Sequence, residues 1–368
     1  MSPTLNQQSS SGSSSIRSSA QSFSMIPTVS LAALRRVDSA QQAAAELADV
    51  CHDVGFFYLV DHGVDRAFLD RYFALLRGFF ALPEHVKATI DKRLSPHFRG
   101  WERVGAELTD NRPDYREQLD VSTENPPYGA DAQPPYLRLD GPNQWLPDDA
   151  LPGFRSTVEA FFETMGAVAN TLMESLAVGL DLDQNHFRTL FGERPQSFVK
   201  LINYPPTPAG EAGVNAHHDA GFLTLLVQHG VGGLQAQSPN GEWIDVPPRD
   251  DAFVVNLGEM LQSMTGNYFV ATTHRVIATE ARVSSGYFHG PDLRTSLAPL
   301  CLHQRFADAV AASPRHAAAG FMSKRDELLH GHAVTSGTSA DVYGQQLWNY
   351  YVRSYPDNVR AHYPEVLA

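Results

Sequence analysis

Apolar residues recur at helical spacing behind Asp38 and Ser39, where Ala43, Ala44, Leu47, Ala48 and Cys51 predict a helix from Ser39 to about His52. An unbroken apolar run, Phe56 to Val60, follows as a strand ending at His62-Gly63. A second helix, Asp65 to Phe80, carries Phe68, Tyr72, Leu75, Leu76 and Phe79 on one side, so its aromatic stripe belongs to a core. Prolines and charges then interrupt every pattern from 81 to 150, and Pro126 to Pro147 reads as a wrapping loop. Pro152 to Leu180 is a long amphipathic helix that should back a sheet, and a short one near Gln184 to Phe191 stops at Gly192. From Ser197 to Phe288 short apolar strands alternate with turns, as in an antiparallel sandwich or jelly roll. Helical spacing returns beyond Pro291, after a loop from Ser313 to Gly320, and Gly344 to Tyr355 stops at Pro356.

Composition changes this picture at the amino terminus only. Eleven of the first 24 residues are Ser, none is acidic and Arg17 is the sole charge, so residues 1–24 cannot bury enough surface to fold. Such a tail is too poor in Arg for a transit peptide, and Met25 is a second candidate start. No apolar run approaches a bilayer span. The net charge of −13 argues against a nucleic-acid partner and for a small-molecule substrate. Cys51 and Cys301, the only cysteines, are too few for a disulfide framework, which makes a reducing cytoplasm the expected setting and a monomer the expected state.

The candidate chemistry lies between Asn203 and Phe288. On an extended strand residues two apart share a face, so His217 and Asp219 can reach one metal ion while His218 points away. His274 would complete a two-His, one-carboxylate face, which leaves part of an iron coordination sphere open. His-x-Asp alone is a weak signal in a chain with 15 histidines and 41 acidic residues. Arg282 and Ser284 follow His274 by eight and ten residues, a distance of roughly 26 Å or more on one straight strand. The polar 278–281 stretch must therefore turn the chain and set Arg282 and Ser284 on a neighbouring antiparallel strand, beside the metal. A guanidinium fork beside a hydroxyl suits a carboxylate. The layout asks for a ligand that chelates metal at one end and carries a carboxylate at the other, and 2-oxoglutarate fits.

The ordered set is more specific than any single pair. His217-His218-Asp219-Ala220-Gly221-Phe222-Leu223-Thr224-Leu225-Leu226, Val231-Gly232-Gly233-Leu234-Gln235, Val254-Val255-Asn256-Leu257-Gly258, His274-Arg275-Val276 and Arg282-Val283-Ser284 resemble the isopenicillin N synthase-like family of iron(II)/2-oxoglutarate-dependent dioxygenases. Ile26 to Leu31 and Gly55 to Val64 resemble that family's amino-terminal region, so the likeness runs over about residues 25 to 357. The resemblance implies a mixed α+β fold, a double-stranded β-helix (jelly-roll) core with flanking N-terminal and C-terminal helices. The expected divisions are the tail 1–24, an N-terminal region 25–150, backing helices 151–195, the core 196–300 and a C-terminal extension 301–368.

By the same resemblance Fe(II) is held by His217, Asp219 and His274, and 2-oxoglutarate by Arg282, Ser284 and Tyr204, which matches a position facing the cosubstrate. O2 is the third reactant; succinate and CO2 leave, and the substrate is hydroxylated, desaturated or ring-closed. No catalytic side chain is expected beyond the metal centre. Phe98, Arg99, Trp101 and Glu107 lie where relatives contact substrate. Arg353-Ser354-Tyr355-Pro356-Asp357 resembles the tail of bacterial ethylene-forming enzymes, making Arg353 a substrate candidate, although Asn203 stands where those enzymes carry Arg. Thr224, Leu226, Phe253, Asn256 and Phe288 are candidates for inward-facing shielding positions. Three other readings remain: an isopenicillin N synthase-type oxidase whose substrate carboxylate takes the Arg and Ser, a non-catalytic binding protein on the same barrel, and a zinc hydrolase with Glu259 as base.

Overall fold

Nearly continuous burial along Phe198–Tyr204, with Val199 and Leu201 in one apolar cluster and Ile202 and Tyr204 in another, marks a sheet covered on both faces. The computed structural model, which describes residues 23–313, 315–316 and 342–366, shows what covers it. In chain order the strands are β1 (Thr28–Ser30), β2 (Phe56–Val60), β3 (Gly100–Glu102), β4 (Leu108–Thr109), β5 (Arg112–Pro113), β6 (Glu117–Ser122) and β7 (Phe198–Tyr204). There follow β8 (Val214–His217), β9 (Leu223–His229), β10 (Leu234–Gln237), β11 (Trp243–Asp245), β12 (Phe253–Leu257), β13 (His274–Val276) and β14 (Arg282–His289).

Eight strands form the larger sheet in the order β1-β2-β12-β9-β14-β7-β6-β3, and four form the smaller, β11-β10-β13-β8. The two face each other as a jelly roll, with Phe56, Tyr58, Ile202, Tyr204 and Val254 of the larger sheet meeting Val214, Leu234, Ala236 and Val276 of the smaller. The outer face of the larger sheet carries Phe57, Leu59, Val199, Leu201, Leu225, Val255 and Tyr287. Helices Ala40–Asp53, Arg66–Ala81 and Phe154–Gly179 bury it. These helices start and stop within two residues of their sequence expectations. Helix Gln304–Ala312, before the expected loop, was not anticipated, and that loop lies largely outside the described residues.

Two expectations are corrected. β13 and β14 are not paired neighbours: β13 belongs to the smaller sheet, whereas β14 pairs with β7 and β9 in the larger. The 277–281 turn therefore crosses between sheets, which sets Arg282 on the sheet opposite the strands that carry His217 and His274. Phe253 is not inward-facing, because Val254 and Asn256 take the inner positions of β12 and Phe253, three residues from Asn256, must lie on the other face, stacked on His62 at 3.8 Å.

Candidate metal centre

β8 ends at His217 and β13 begins at His274, and the two residues are directly paired across the smaller sheet. The imidazole centroids lie 4.3 Å apart. Asp219 completes a set whose ligand atoms all fall within 4.8 Å of one another, the one such group of three among the described residues. Its Oδ1 is 3.5 Å from His217 Nε2 and 3.7 Å from His274 Nε2.

The surrounding groups decide which atoms are free. His217 Nδ1 donates to Asn215 O at 2.8 Å and His274 Nδ1 to Thr272 O at 3.1 Å, which leaves both Nε2 atoms turned to the common point. Asp219 Oδ2 accepts from Thr224 Oγ1 at 2.5 Å and Asn256 Nδ2 at 2.7 Å, so Oδ1 alone is left over. Burial pushes the His274 imidazolium down to about 4, with the His217 charge acting the same way and Asp219 opposing, so that ring is neutral at pH 7 and ready to bind a cation. For Asp219, burial acts upward but the His274 and His217 charges outweigh it, holding the carboxyl well below its usual range. His218 points elsewhere, with Nδ1 3.3 Å from Glu259 Oε1 and Nε2 2.8 Å from Thr273 Oγ1.

The loop that carries Asp219 is held by backbone. The first N–H groups of helix Glu259–Met264 and its cap reach back to it, Gly258 N to Phe222 O at 3.0 Å and Glu259 N to Asp219 O at 2.8 Å. Gly258 has no room for a side chain, since a Cβ there would sit 2.1 Å from Gly221 O and 3.0 Å from Asp219 O.

Arg282 and Ser284 lie on the inner face of β14, 3% and 1% exposed. Arg282 gives Nη2 to Gln228 Oε1 at 3.1 Å, and its Cζ lies 4.8 Å from the Tyr204 ring centroid. Its Nε and Nη1 and the Ser284 Oγ have no partner among the described residues. No carboxylate of the described residues pairs with this buried guanidinium, and a buried cation without an anion is costly. A ligand carboxylate supplies what is missing. In register, Thr224 lies opposite Phe288, Leu226 opposite Gly286 and Gln228 opposite Ser284, so the Asp219 support and the Arg282 support are four residues apart along β9, about 13 Å. The two-His, one-carboxylate set fits Fe(II), and the orphaned donors across from it fit the distal carboxylate of 2-oxoglutarate.

The substrate candidates separate. Glu107 is buried, accepting from Arg116 Nη2 at 2.6 Å, Lys200 Nζ at 3.1 Å and Tyr350 OH at 2.7 Å, on the side of β7 that faces the metal. Trp101 lies on the other face of the sheet and donates Nε1 to Glu117. Phe98 is packed among Trp348, Tyr351, Tyr355 and Tyr363, and Arg99 donates to the Thr123 and Leu139 carbonyls; neither borders the metal set. Arg353 is exposed on the last turn of helix Tyr343–Ser354, so a pocket role for it is corrected to a surface position. Asn203 faces the outer side, donating to Glu117 Oε2. Sequence reasoning missed Gln228, the partner of Arg282, although its even spacing from Thr224 and Leu226 put it on the same face. It also missed Asn215, whose carbonyl orients His217.

Comparison with known proteins agrees with this geometry. Residues 26–148 match the family described as non-haem dioxygenase in morphine synthesis N-terminal, and residues 195–291 the 2OG-Fe(II) oxygenase superfamily. A 2-oxoglutarate-dependent dioxygenase of Dothideomycetidae sp. (strain 11243) is 34% identical over 279 residues, covering 73% of this chain and 75% of that one. A homoarginine-6-hydroxylase of Glycine max is 31% identical, covering 78% and 92%. Among solved structures, a full-length Neurospora crassa protein in complex with alpha-KG and thymine superposes with a TM-score of 0.65 at 27% identity, covering 75% of this chain and 88% of that one.

Proposed function

The chain belongs to the isopenicillin N synthase-like family of iron(II)/2-oxoglutarate-dependent dioxygenases, and from that premise we propose that His217, Asp219 and His274 hold its Fe(II) while Arg282, Ser284 and Tyr204 bind 2-oxoglutarate. The protein is an enzyme that oxidises a small organic molecule with 2-oxoglutarate and O2. When bound, the iron and the oxo acid together supply the oxygen-activating chemistry, with succinate and CO2 released.

The chain's own residues bind, orient and shield. His217 and His274 offer Nε2 because the Asn215 and Thr272 carbonyls hold their Nδ1 protons. Asp219 offers one oxygen because Thr224 and Asn256 hold the other. Arg282 presents Nη1 unpartnered beside Nη2, which keeps a second N–H besides the one given to Gln228, so this edge can fork on a carboxylate while Gln228 fixes the guanidinium. Phe56, with its ring 5.8 Å from His274, and the apolar floor of Ile202 and Leu226 keep water from the centre.

The relatives are named for homoarginine hydroxylation or crystallised with thymine, so a nitrogen-bearing substrate is in keeping with them. We read the protein as a cytoplasmic monomer; the net charge of −13 favours small molecules over nucleic acid, and the two unpaired cysteines suit a reducing compartment. Among the described residues no helix is long and apolar enough to cross a membrane.

The observation that carries the site assignment is the buried Arg282–Ser284 pair, whose Arg282 Nε and Nη1 and Ser284 Oγ have no partner among the described residues. It is tested with 2-oxoglutarate labelled at C1. The wild type should release labelled CO2 in an iron-dependent way, Asp219→Ala should abolish release, and Arg282→Lys should raise the KM for 2-oxoglutarate by about tenfold or more through loss of the fork. Arg282→Lys with unchanged KM would remove the carboxylate role.

A further inference from the structure

The inner face of the larger sheet does not end at the 2-oxoglutarate track. Two strands beyond β14 lies β6, and its register continues the same rows: Gln118 is paired with Ile202 and through it with Ser284, and Asp120 with Lys200 and through it with Gly286. At about 4.8 Å per strand these side chains stand roughly 10 Å from the track, on the same face. Around them lies a buried ionic cluster. Lys92 pairs with Glu102 at 3.0 Å and Asp120 at 2.7 Å, Lys200 with Glu107 and Asp120, both at 3.1 Å, and Arg116 with Glu107 at 2.6 Å and Asp114 at 3.2 Å. Tyr350 and Tyr355, from the C-terminal helix and its cap, roof it through Glu107 and Lys200.

Two features of this cluster point to a ligand. Among the described residues its formal charges do not balance, with three cations (Lys92, Lys200, Arg116) facing four carboxylates (Glu102, Glu107, Asp114, Asp120), and an uncompensated buried charge is costly. Its spare hydrogen-bonding capacity is also directional. Asp120 and Gln118 are each 1% exposed, yet Asp120 Oδ1 and Gln118 Oε1 have no partner among the described residues. The two are spaced i, i+2 along one strand face and both can only accept. The single spare donor nearby is Arg116 Nε, two residues further along. Between these acceptors and Thr224, which holds Asp219, lies an aromatic platform, the Phe198 and Phe288 rings stacked at 4.5 Å.

We propose that the substrate is a small organic cation whose protonated amine or guanidine is seated on Asp120 Oδ1 and Gln118 Oε1, with its carbon skeleton over Phe198 and Phe288, directed at the metal. This rests on the iron and 2-oxoglutarate assignment above and deepens it by naming the substrate class. A bound cation brings the cluster to four charges of each sign and satisfies both acceptors. Without the guest, burial pushes the Glu102 carboxyl up, against the pull of Lys92, in keeping with a surplus of acid.

The test is anaerobic titration calorimetry. The Fe(II)-loaded protein is titrated first with 2-oxoglutarate, then with agmatine, arginine, lysine and phenethylamine, each set against a neutral counterpart of the same skeleton in which a urea or alcohol replaces the cationic group. At least one cation should bind tenfold or more tightly than its neutral counterpart. Gln118→Met should cut that preference at least tenfold, and Asp120→Asn should cut it further where it folds. A purely structural role for Gln118 would lower the melting temperature and weaken cation and neutral partner alike, which overturns the proposal. So does a normal 2-oxoglutarate titration followed by no preference for any cation, or tighter binding of a neutral urea. Absence of heat from 2-oxoglutarate itself would fail the cosubstrate assignment and this inference with it.

Discussion

Asn256 shows how one neutral side chain sets the chemistry of a charged one. Its amide and the Thr224 hydroxyl both bond Asp219 Oδ2, so the carboxylate is fixed in rotation and only Oδ1 is presented to the metal point. Removing the amide leaves a buried carboxylate oxygen short of a donor and free to turn. Groups that orient a metal ligand in this way commonly contribute 10–100-fold in affinity. Asn256→Ala should therefore weaken Fe(II) binding by about that factor in a competition titration against a colorimetric chelator, while the secondary-structure spectrum is unchanged. An unaltered iron affinity would mean that Thr224 alone suffices. His217, Asp219 and His274 were singled out in the sequence by the ordered set of motifs, the His-x-Asp spacing alone being a weak signal, because a metal demands particular residue types. Asn256 appeared only as one of several inward candidates, since an amide on a strand face looks the same whether it packs or orients. The same ambiguity explains Phe98 and Arg99, whose aromatic and cationic character suits a pocket but whose partners prove to be four aromatic rings and a set of carbonyls.

At the scale of elements, the metal loop depends on the helix that follows β12. Gly258 closes the strand and lets the helix N-terminus approach the Asp219 and Gly221 carbonyls. Its φ of −96° suits any residue, so the requirement is for space and not for backbone freedom. Gly258→Ala should push the loop away, lowering iron affinity and the thermal midpoint together; a variant with wild-type values for both would show that the loop yields without cost. This contact was invisible in the sequence because it joins backbone atoms 36 to 40 residues apart. The strands were legible where alternation is apolar, as in β9 and β12. β6 was not, since its inner face carries Gln118, Asp120 and Ser122 and reads as a polar loop. The site therefore disguised the strand that flanks it. The turn after His274 was foreseen, but its destination was not: a polar turn reports that the chain reverses, not which of two facing sheets receives it.

For the molecule as a whole, the C-terminal segment closes the jelly roll. Helix Tyr343–Ser354 and the following helix Pro356–His362 pack on the 95–99 stretch, and the hub of that contact is Phe98, 1% exposed between Trp348, Tyr351, Tyr355 and Tyr363. Phe98 holds a φ of +57°, which is strained for a bulky residue and persists because the surrounding packing fixes it. Tyr355, anchored in the same contact, also reaches Lys200 at 2.6 Å, so the roof over the ionic cluster and the docking of the terminus share residues. Phe98→Ala removes the hub and leaves a cavity, a change that typically costs about 3 to 5 kcal/mol. At roughly 1 to 2 °C per kcal/mol for a chain of this size, the melting temperature should fall by about 4 °C or more. The Fe(II) and 2-oxoglutarate affinities should stay within about twofold of wild type, because neither set of ligands touches the contact. A large loss of 2-oxoglutarate affinity with an unchanged melting temperature would place Phe98 in the pocket after all. The expected opposite pattern would show that the terminus acts on the site only through its roof, where Tyr350 and Tyr355 meet Glu107 and Lys200.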